Sequence, residues 1–314
     1  MTYTLCMACT IEAEGLVKTF GRAPSLAGVD LRAEAGTVLA LLGPNGAGKT
    51  TTVRILSTLL RADAGRARIA GHDVAREPAA VRRALSLTGQ YVAVDEPLTG
   101  RENLHMLCRL RHLGRAAARR RTAELLERFD LAGAADRRVA TWSGGMRRRL
   151  DLAMSLVSDP PVLVLDEPTT GLDPRSRRAV WDAVAGLRAD GVTVLLTTQY
   201  LEEADRLADR VVVLDAGRVV AEGTAERLKA AVGSETVELV PTDPLALDRA
   251  RAALAGRPAD ADRERVSLRV RTDGSPAAVR DLLVLMDAAG VTVLRLALHR
   301  PTLDDVFLTL TGRP

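Results

Sequence analysis

The chain has 314 residues, 47% of them hydrophobic and 27% charged, with a net charge of +4; this suits two domains with their own cores and excludes wholesale disorder. No apolar run approaches the roughly 18 residues of a membrane-spanning helix, and no secretory signal opens the chain, so a cytoplasmic residence is expected. Aromatic residues make up 3%, too few for base-stacking platforms, so the arginine clusters 119–121 and 147–149 read as solvated helix faces, ahead of a membrane surface or a nucleic-acid groove.

Cys6 and Cys9 form a lone C-x-x-C with no second pair or histidine nearby, which reads as incidental thiols and not a zinc site. Residues 10–42 read as strands and turns, closing in the buried-strand run 37–42. Gly43-Pro44-Asn45-Gly46-Ala47-Gly48-Lys49-Thr50 follows, and a helix is expected from near Gly48 through 51–56, with Thr51 in its first turn. Strand, glycine loop and helix are the context a phosphate loop requires. Backbone amides line such a loop, Lys49 reaches the β and γ phosphates, and Thr50 supplies a hydroxyl to Mg²⁺.

From about 92 to 160 the pattern turns helical, with helices expected over 100–113 and 116–129 inside an α/β core. His105, Cys108 and His112 share a helix face, but the outer pair rise about 10 Å apart, too far to grip one zinc ion. Ser143-Gly144-Gly145 opens a further helix and is a second anion-binding helix start. One nucleotide hardly needs two loops from one core, whereas a symmetric dimer could join the Ser143 loop of each copy to the Lys49 loop of the other. An apolar strand, 162–165, then delivers Asp166 and Glu167. Strand alternation is expected to turn them apart, Asp166 toward a metal and Glu167 toward an attacking water as general base.

The α/β rhythm continues with a helix over 174–189, a strand over 192–197, a helix over 201–208 and a strand over 210–214. Beyond a helix ending near 230, a separate module is expected over 234–314. Strands 236–240, 265–270 and 291–298 alternate there with helices 244–255 and 276–289, before an ending over 302–311. It holds no phosphate loop or carboxylate pair and reads as a small α+β accessory domain.

These motifs, over about 10–230, resemble the nucleotide-binding subunits of ATP-binding cassette (ABC) transporters. Residues 43–50 resemble the Walker A loop, Gln90 the Q-loop, 143–146 the signature loop, 163–167 the Walker B strand, and Gly171-Leu172-Asp173 the D-loop. Phe20 is similar in position to the aromatic that stacks on adenine, a core phenylalanine being the other reading. Leu98-Thr99-Gly100-Arg101-Glu102-Asn103-Leu104, the run 142–153 from Trp142 to Ala153, and the ending His299-Arg300-Pro301-Thr302-Leu303-Asp304-Asp305-Val306-Phe307-Leu308 are similar to the daunorubicin/doxorubicin-resistance exporter ATPases.

The resemblance implies an α/β P-loop NTPase of ABC type over 1–230, with a helical subdomain at about 92–160, plus the C-terminal α+β domain. It implies an ATPase that binds ATP through Phe20, residues 43–51 and the Ser143, Gly144 and Gly145 of a second copy. Thr50, Gln90 and Asp166 would hold Mg²⁺, and Glu167, Gln199 and Gln90 would serve catalysis. It further implies a homodimer at the cytoplasmic face of the membrane, driving efflux of an amphipathic, anthracycline-like drug through a separate multi-span permease, with no direct nucleic-acid partner. The rival class is a soluble ABC ATPase that clamps nucleic acid or the ribosome, but no second cassette, zinc module or coiled coil is visible.

Two residues depart from the wider pattern. Met146 stands where glutamine is usual, and Gln199 where most cassettes carry a switch histidine. An amide donates a hydrogen bond but cannot become cationic, so hydrolysis is expected to lean on Glu167.

Overall fold

Val38–Leu42 is apolar and buried at all five positions, as a strand covered on both faces must be. The structure, a computed structural model, describes residues 9–89, 92–233, 235–254 and 256–311. It divides into two compact units, Met1–Ala225 and Glu226–Pro314.

The first unit begins with β1 (Cys9–Phe20) and β2 (Ala23–Glu34), paired antiparallel, then β3 (Val38–Leu42) and α1 (Lys49–Leu56). Next come β4 (Ala64–Ile69), β5 (His72–Asp73), α2 (Pro78–Ala84) and β6 (Leu85–Thr88), none of them predicted from the sequence. β4 buries only Ala67 and Ile69 among exposed arginines, so its alternation barely registers as hydrophobic periodicity.

The helical segment contains α3 (Gly100–Leu110), α4 (Arg115–Arg128) and α5 (Gly144–Ser155). α3 starts at a capping box made by Thr99 and Glu102, which satisfies two otherwise orphaned N–H groups. β7 (Val162–Asp166), α6 (Pro174–Ala189), β8 (Thr193–Thr198), α7 (Leu201–Leu207), β9 (Arg210–Asp215) and β10 (Arg218–Gly223) complete the unit. Asp173 caps α6 and Pro174 occupies its first turn, where a missing N–H costs nothing.

Four strands form a sheet in the order β2-β1-β4-β5, and six form a second in the order β10-β9-β3-β8-β7-β6. The second is parallel except for β10. β8 lies between β3 and β7, so the loops leaving these three strands emerge side by side at their carboxyl ends, where open α/β sheets bind ligands. Alternate residues of the inner strands serve different cores. Leu163, Leu165, Val194 and Leu196 join the helices, with Leu104, Leu125 and Trp181, while Val162, Val164 and Leu195 join Val53, Ile55 and the antiparallel sheet.

The second unit takes in most of α8 (Ala225–Val232), then β11 (Thr236–Pro241), α9 (Pro244–Ala253), β12 (Ala259–Asp262), β13 (Ser267–Arg271), α10 (Pro276–Ala288), β14 (Val293–His299) and α11 (Leu303–Thr311). Its antiparallel sheet runs β12-β13-β11-β14 around a core of Val237, Leu239, Leu247, Leu268, Leu282 and Met286.

One expectation is corrected here. The arginines of 147–149 do not all lie on a solvated face, because Arg148 is only 3% exposed.

Candidate functional site

The loop between β3 and α1 turns on Gly48, which caps α1 at a φ of +109°. A Cβ there would approach Leu26 Cδ2 to 2.6 Å and the Ser25 carbonyl to 2.8 Å, so glycine is required by both conformation and space. The next residue, Lys49, is 4% exposed. Its Nζ donates to the carbonyls of Gly43 at 2.8 Å and Pro44 at 3.2 Å, and lies 3.5 Å from Glu167 Oε1. Burial pushes the ammonium pKa down, opposed by the charge and hydrogen bond of Glu167 and then by Asp166. Asn45, Gly46 and Thr50 face solvent, Pro44 is half-buried and Ala47 is buried. Thr51 turns its hydroxyl to Ser25 Oγ at 2.8 Å, tying α1 to β2.

β7 ends at Asp166, whose Oδ1 accepts a 2.5 Å hydrogen bond from Thr197 Oγ1 at the end of β8. Glu167 does not continue the strand. Its φ is +48°, a left-handed conformation uncommon for a residue with a Cβ. Its N–H is held at 3.1 Å by both the carbonyl and the hydroxyl of Thr197. The expected parting of the two carboxylates by strand alternation is therefore corrected: a backbone turn at Glu167 directs its side chain to Lys49. Its Oε2 accepts from Thr170 Oγ1 at 3.3 Å.

Gln199 follows β8 directly and is half-buried. Gln90 lies outside the described residues. Phe20 is 51% exposed and stands on the surface with Lys18 Nζ 5.7 Å from its ring centroid, so it is not a core side chain. Asp63 fixes this corner, pairing with Lys18 at 2.7 Å and accepting from the Thr19 N–H at 2.8 Å.

Ser143 caps α5, its Oγ accepting from the Met146 N–H at 3.3 Å. Ser143 and Gly144 are exposed, whereas Gly145 is buried against α6. A Cβ on Gly145 would run into the Ser176 side chain, with Ser176 Cβ at 2.6 Å. Ser176 is held in turn by Asp173, which accepts from its N–H at 2.9 Å and its hydroxyl at 2.6 Å. The glycine is thus needed for helix packing. Among the described residues, no hydrogen bond or ion pair joins Ser143, Gly144 or Gly145 to Lys49, Asp166 or Glu167.

The structure adds residues that the motifs do not name. Thr197 organises both carboxylates, and its only sequence signal is a pair of threonines closing an apolar strand. Glu203 on α7 is fully buried and accepts from Thr169 Oγ1 at 2.9 Å and Trp181 Nε1 at 3.0 Å, linking the segment after Glu167 to α6.

Comparison with known proteins gives consistent matches. The family model described as ABC transporter matches residues 26–170. The chain is 55% identical over 306 residues to daunorubicin resistance ATP-binding protein DrrA3 of Streptomyces coeruleorubidus, covering 96% of each. It is 51% identical over 307 residues to daunorubicin/doxorubicin resistance ATP-binding protein DrrA of Streptomyces peucetius, covering 97% of this chain and 93% of the relative. A solved ATP-binding cassette of an ABC transporter, in its ADP conformation, superposes with a TM-score of 0.63 at 26% identity, over 70% of this chain and 92% of the other.

Proposed function

The chain belongs to the ABC transporter family, among its ATP-binding and ATP-hydrolysing subunits, and from that premise we propose that it energises efflux of an amphipathic, anthracycline-like antibiotic through a separate membrane permease. Daunorubicin and doxorubicin resistance in relatives that match almost from end to end supports this cargo class. Among the described residues no helix is long and apolar enough to cross a membrane. The permease holds the chain at the cytoplasmic face of the membrane.

The observation that carries the reading is the buried Lys49 ammonium, set between loop carbonyls and Glu167 at the carboxyl ends of β3 and β7, two parallel strands with β8 between them. An incoming triphosphate replaces the carbonyl partners of Lys49 with phosphate oxygens, the loop amides and the α1 N-terminus bind the remaining charge, and Phe20 stacks on the base. Among the described residues no three His, Cys, Asp or Glu side chains converge on a metal position. Asp166 and Thr50, with Gln90 as the third expected ligand, would instead supply the sparse set that suits Mg²⁺ carried on a nucleotide. Mg²⁺, when bound, neutralises charge on the β and γ phosphates.

Glu167 takes a proton from water as the water oxygen attacks the γ phosphorus, and the bond to the bridging oxygen breaks to leave ADP. Gln199 donates an amide hydrogen bond at the γ-phosphate. Ser143, Gly144 and Gly145 complete the site from a second copy, which fits the exposure of Ser143 and Gly144 and the absence, among the described residues, of any hydrogen bond from this loop to Lys49.

ATP-driven uptake of doxorubicin into inverted vesicles carrying the chain and its permease tests the reading. Uptake is expected with the wild type and is expected to be lost with Lys49→Ala. Brisk ATP turnover with no uptake of any drug in a panel would rule out this cargo, and recovery with ribosomes or DNA in low salt would rule out export.

A further inference from the structure

The three arginines that open α5 have three different surroundings. Arg147 pairs with Glu96 at the surface, at 2.5 Å. Arg149 reaches the Phe129 carbonyl at 2.9 Å and Asp130 Oδ2 at 3.2 Å. Arg148 points inward. Its Nε donates to the Pro168 carbonyl at 2.8 Å, and its Nη1 donates to the Gly89 carbonyl at 2.8 Å and to Asp151 Oδ2 at 3.1 Å. The other oxygen of Asp151 accepts from the Ala93 N–H at 3.2 Å. One pair of side chains, one turn apart on α5, thereby grips the residue that follows Glu167, the backbone just past β6 and a third backbone position at Ala93.

This pair is a poor choice if stability were its purpose. A buried ion pair is commonly matched or exceeded by apolar residues of the same volume, and Arg148 Nη2 is buried without a hydrogen-bond partner among the described residues, a further cost. What the planar guanidinium provides, and an apolar pair does not, is a rigid fork that fixes two carbonyls in direction and distance. α5 also begins at Ser143, the exposed turn of the signature loop.

We propose that Arg148 and Asp151 are positioning residues for hydrolysis, a bracket that transmits displacement of α5 to the backbone beside Glu167. The inference rests on Glu167 being the hydrolytic carboxylate. Engagement of Ser143 at the nucleotide held by a second copy then sets the geometry of Glu167 in its own copy, so the two composite sites of a dimer are mechanically joined. A misplacement of about 1 Å in such a group costs on the order of a hundredfold in rate.

The test uses the full-length chain with the paired substitution Arg148→Met/Asp151→Leu, which replaces the bracket by apolar volume, and with Arg148→Lys, whose single ammonium lacks the fork. Binding of a fluorescent ATP analogue and steady-state ATP hydrolysis are measured for each, with Glu167→Gln as the control. The paired variant is expected to bind the analogue within about threefold of the wild type, with KM unchanged on the same scale, while kcat falls by about tenfold or more. Arg148→Lys is expected to fall between, and it carries the comparison alone if the paired variant does not fold. The Hill coefficient for ATP is expected to drop toward one. Wild-type kcat in the folded Arg148 variants, or losses of kcat and affinity in equal proportion, would overturn the bracket. Turnover retained by Glu167→Gln would instead overturn the assignment of the hydrolytic carboxylate.

Discussion

Thr197 is the residue at which the structure makes its sharpest demand. Its hydroxyl donates to Asp166 Oδ1 at 2.5 Å and accepts from the Glu167 N–H at 3.1 Å, and the side chain is fully buried. Thr197→Val keeps the shape and removes the donor. Glu167 N–H retains the Thr197 carbonyl, so the loss falls on Asp166, which is left with a buried carboxylate oxygen lacking its donor. A hydrogen bond to a charged group contributes about 1.5–3 kcal/mol. For a unit of this size each kcal/mol moves Tm by about 2–4 °C, so Thr197→Val is expected to melt roughly 3–12 °C below the wild type. Thr197→Ser keeps the hydroxyl and loses a methyl, worth about 0.8 kcal/mol by transfer alone, and is expected to melt between the two. Tryptophan fluorescence is the assay, because both tryptophans, Trp142 and Trp181, belong to the unit that holds Thr197. A valine variant melting within about a degree of the wild type, or a serine variant less stable than the valine, would refute the reasoning.

Three further outcomes are expected. Glu167→Gln is expected to abolish ATP turnover while Gln199→Ala retains a measurable part of it, as read by phosphate release; the reverse order would show that the switch position carries the chemistry. Gly145→Ala is expected to cost about 1–3 kcal/mol by overpacking against Ser176, and adding Ser176→Gly is expected to recover part of it, so strictly additive melting losses would refute the contact. Burial raises the Glu203 pKa above its ordinary 4.5, so the folded state holds a proton above pH 4.5 that the unfolded chain has released. Stability is therefore lost as pH rises through that interval, by at most about 1.4 kcal/mol per pH unit. The Tm of Glu203→Gln relative to the wild type is expected to climb with pH from 4.5 upward, and a difference independent of pH would contradict it.

Much of the nucleotide site is legible in the sequence because its chemistry is local. The order from Gly43 to Thr50 encodes a turn, a charge and a helix start within one short segment, and Asp166 and Glu167 stand directly behind the strand that delivers them. α6 is predicted to the residue, since Asp173 and Pro174 mark its start. What escapes the sequence depends on partners that have no letter of their own. Arg148 is one of three adjacent arginines, and its burial depends on the carbonyls of Gly89 and Pro168, 59 and 20 residues away. Glu167 leaves the strand through a single left-handed residue held by Thr197, which no hydrophobic pattern records. β4 goes unpredicted because a strand buried through only one alanine and one isoleucine has almost no periodicity to read.

The place of β3 in its sheet bears on how the chain is made. Its partners are β8 and β9, with Val38 opposite Val194 and Leu39 opposite Arg210, and the Val38 N–H is bonded to Asp209. At the roughly 5–20 residues per second of translation, β3 leaves the ribosome on the order of ten seconds before either neighbour exists. Throughout that interval an apolar five-residue strand has no native edge to join, and the Lys49 loop has no floor on which to close. Newly made protein is thus blind to ATP until almost the whole first unit has been synthesised, and this interval is when the nascent chain most needs a chaperone.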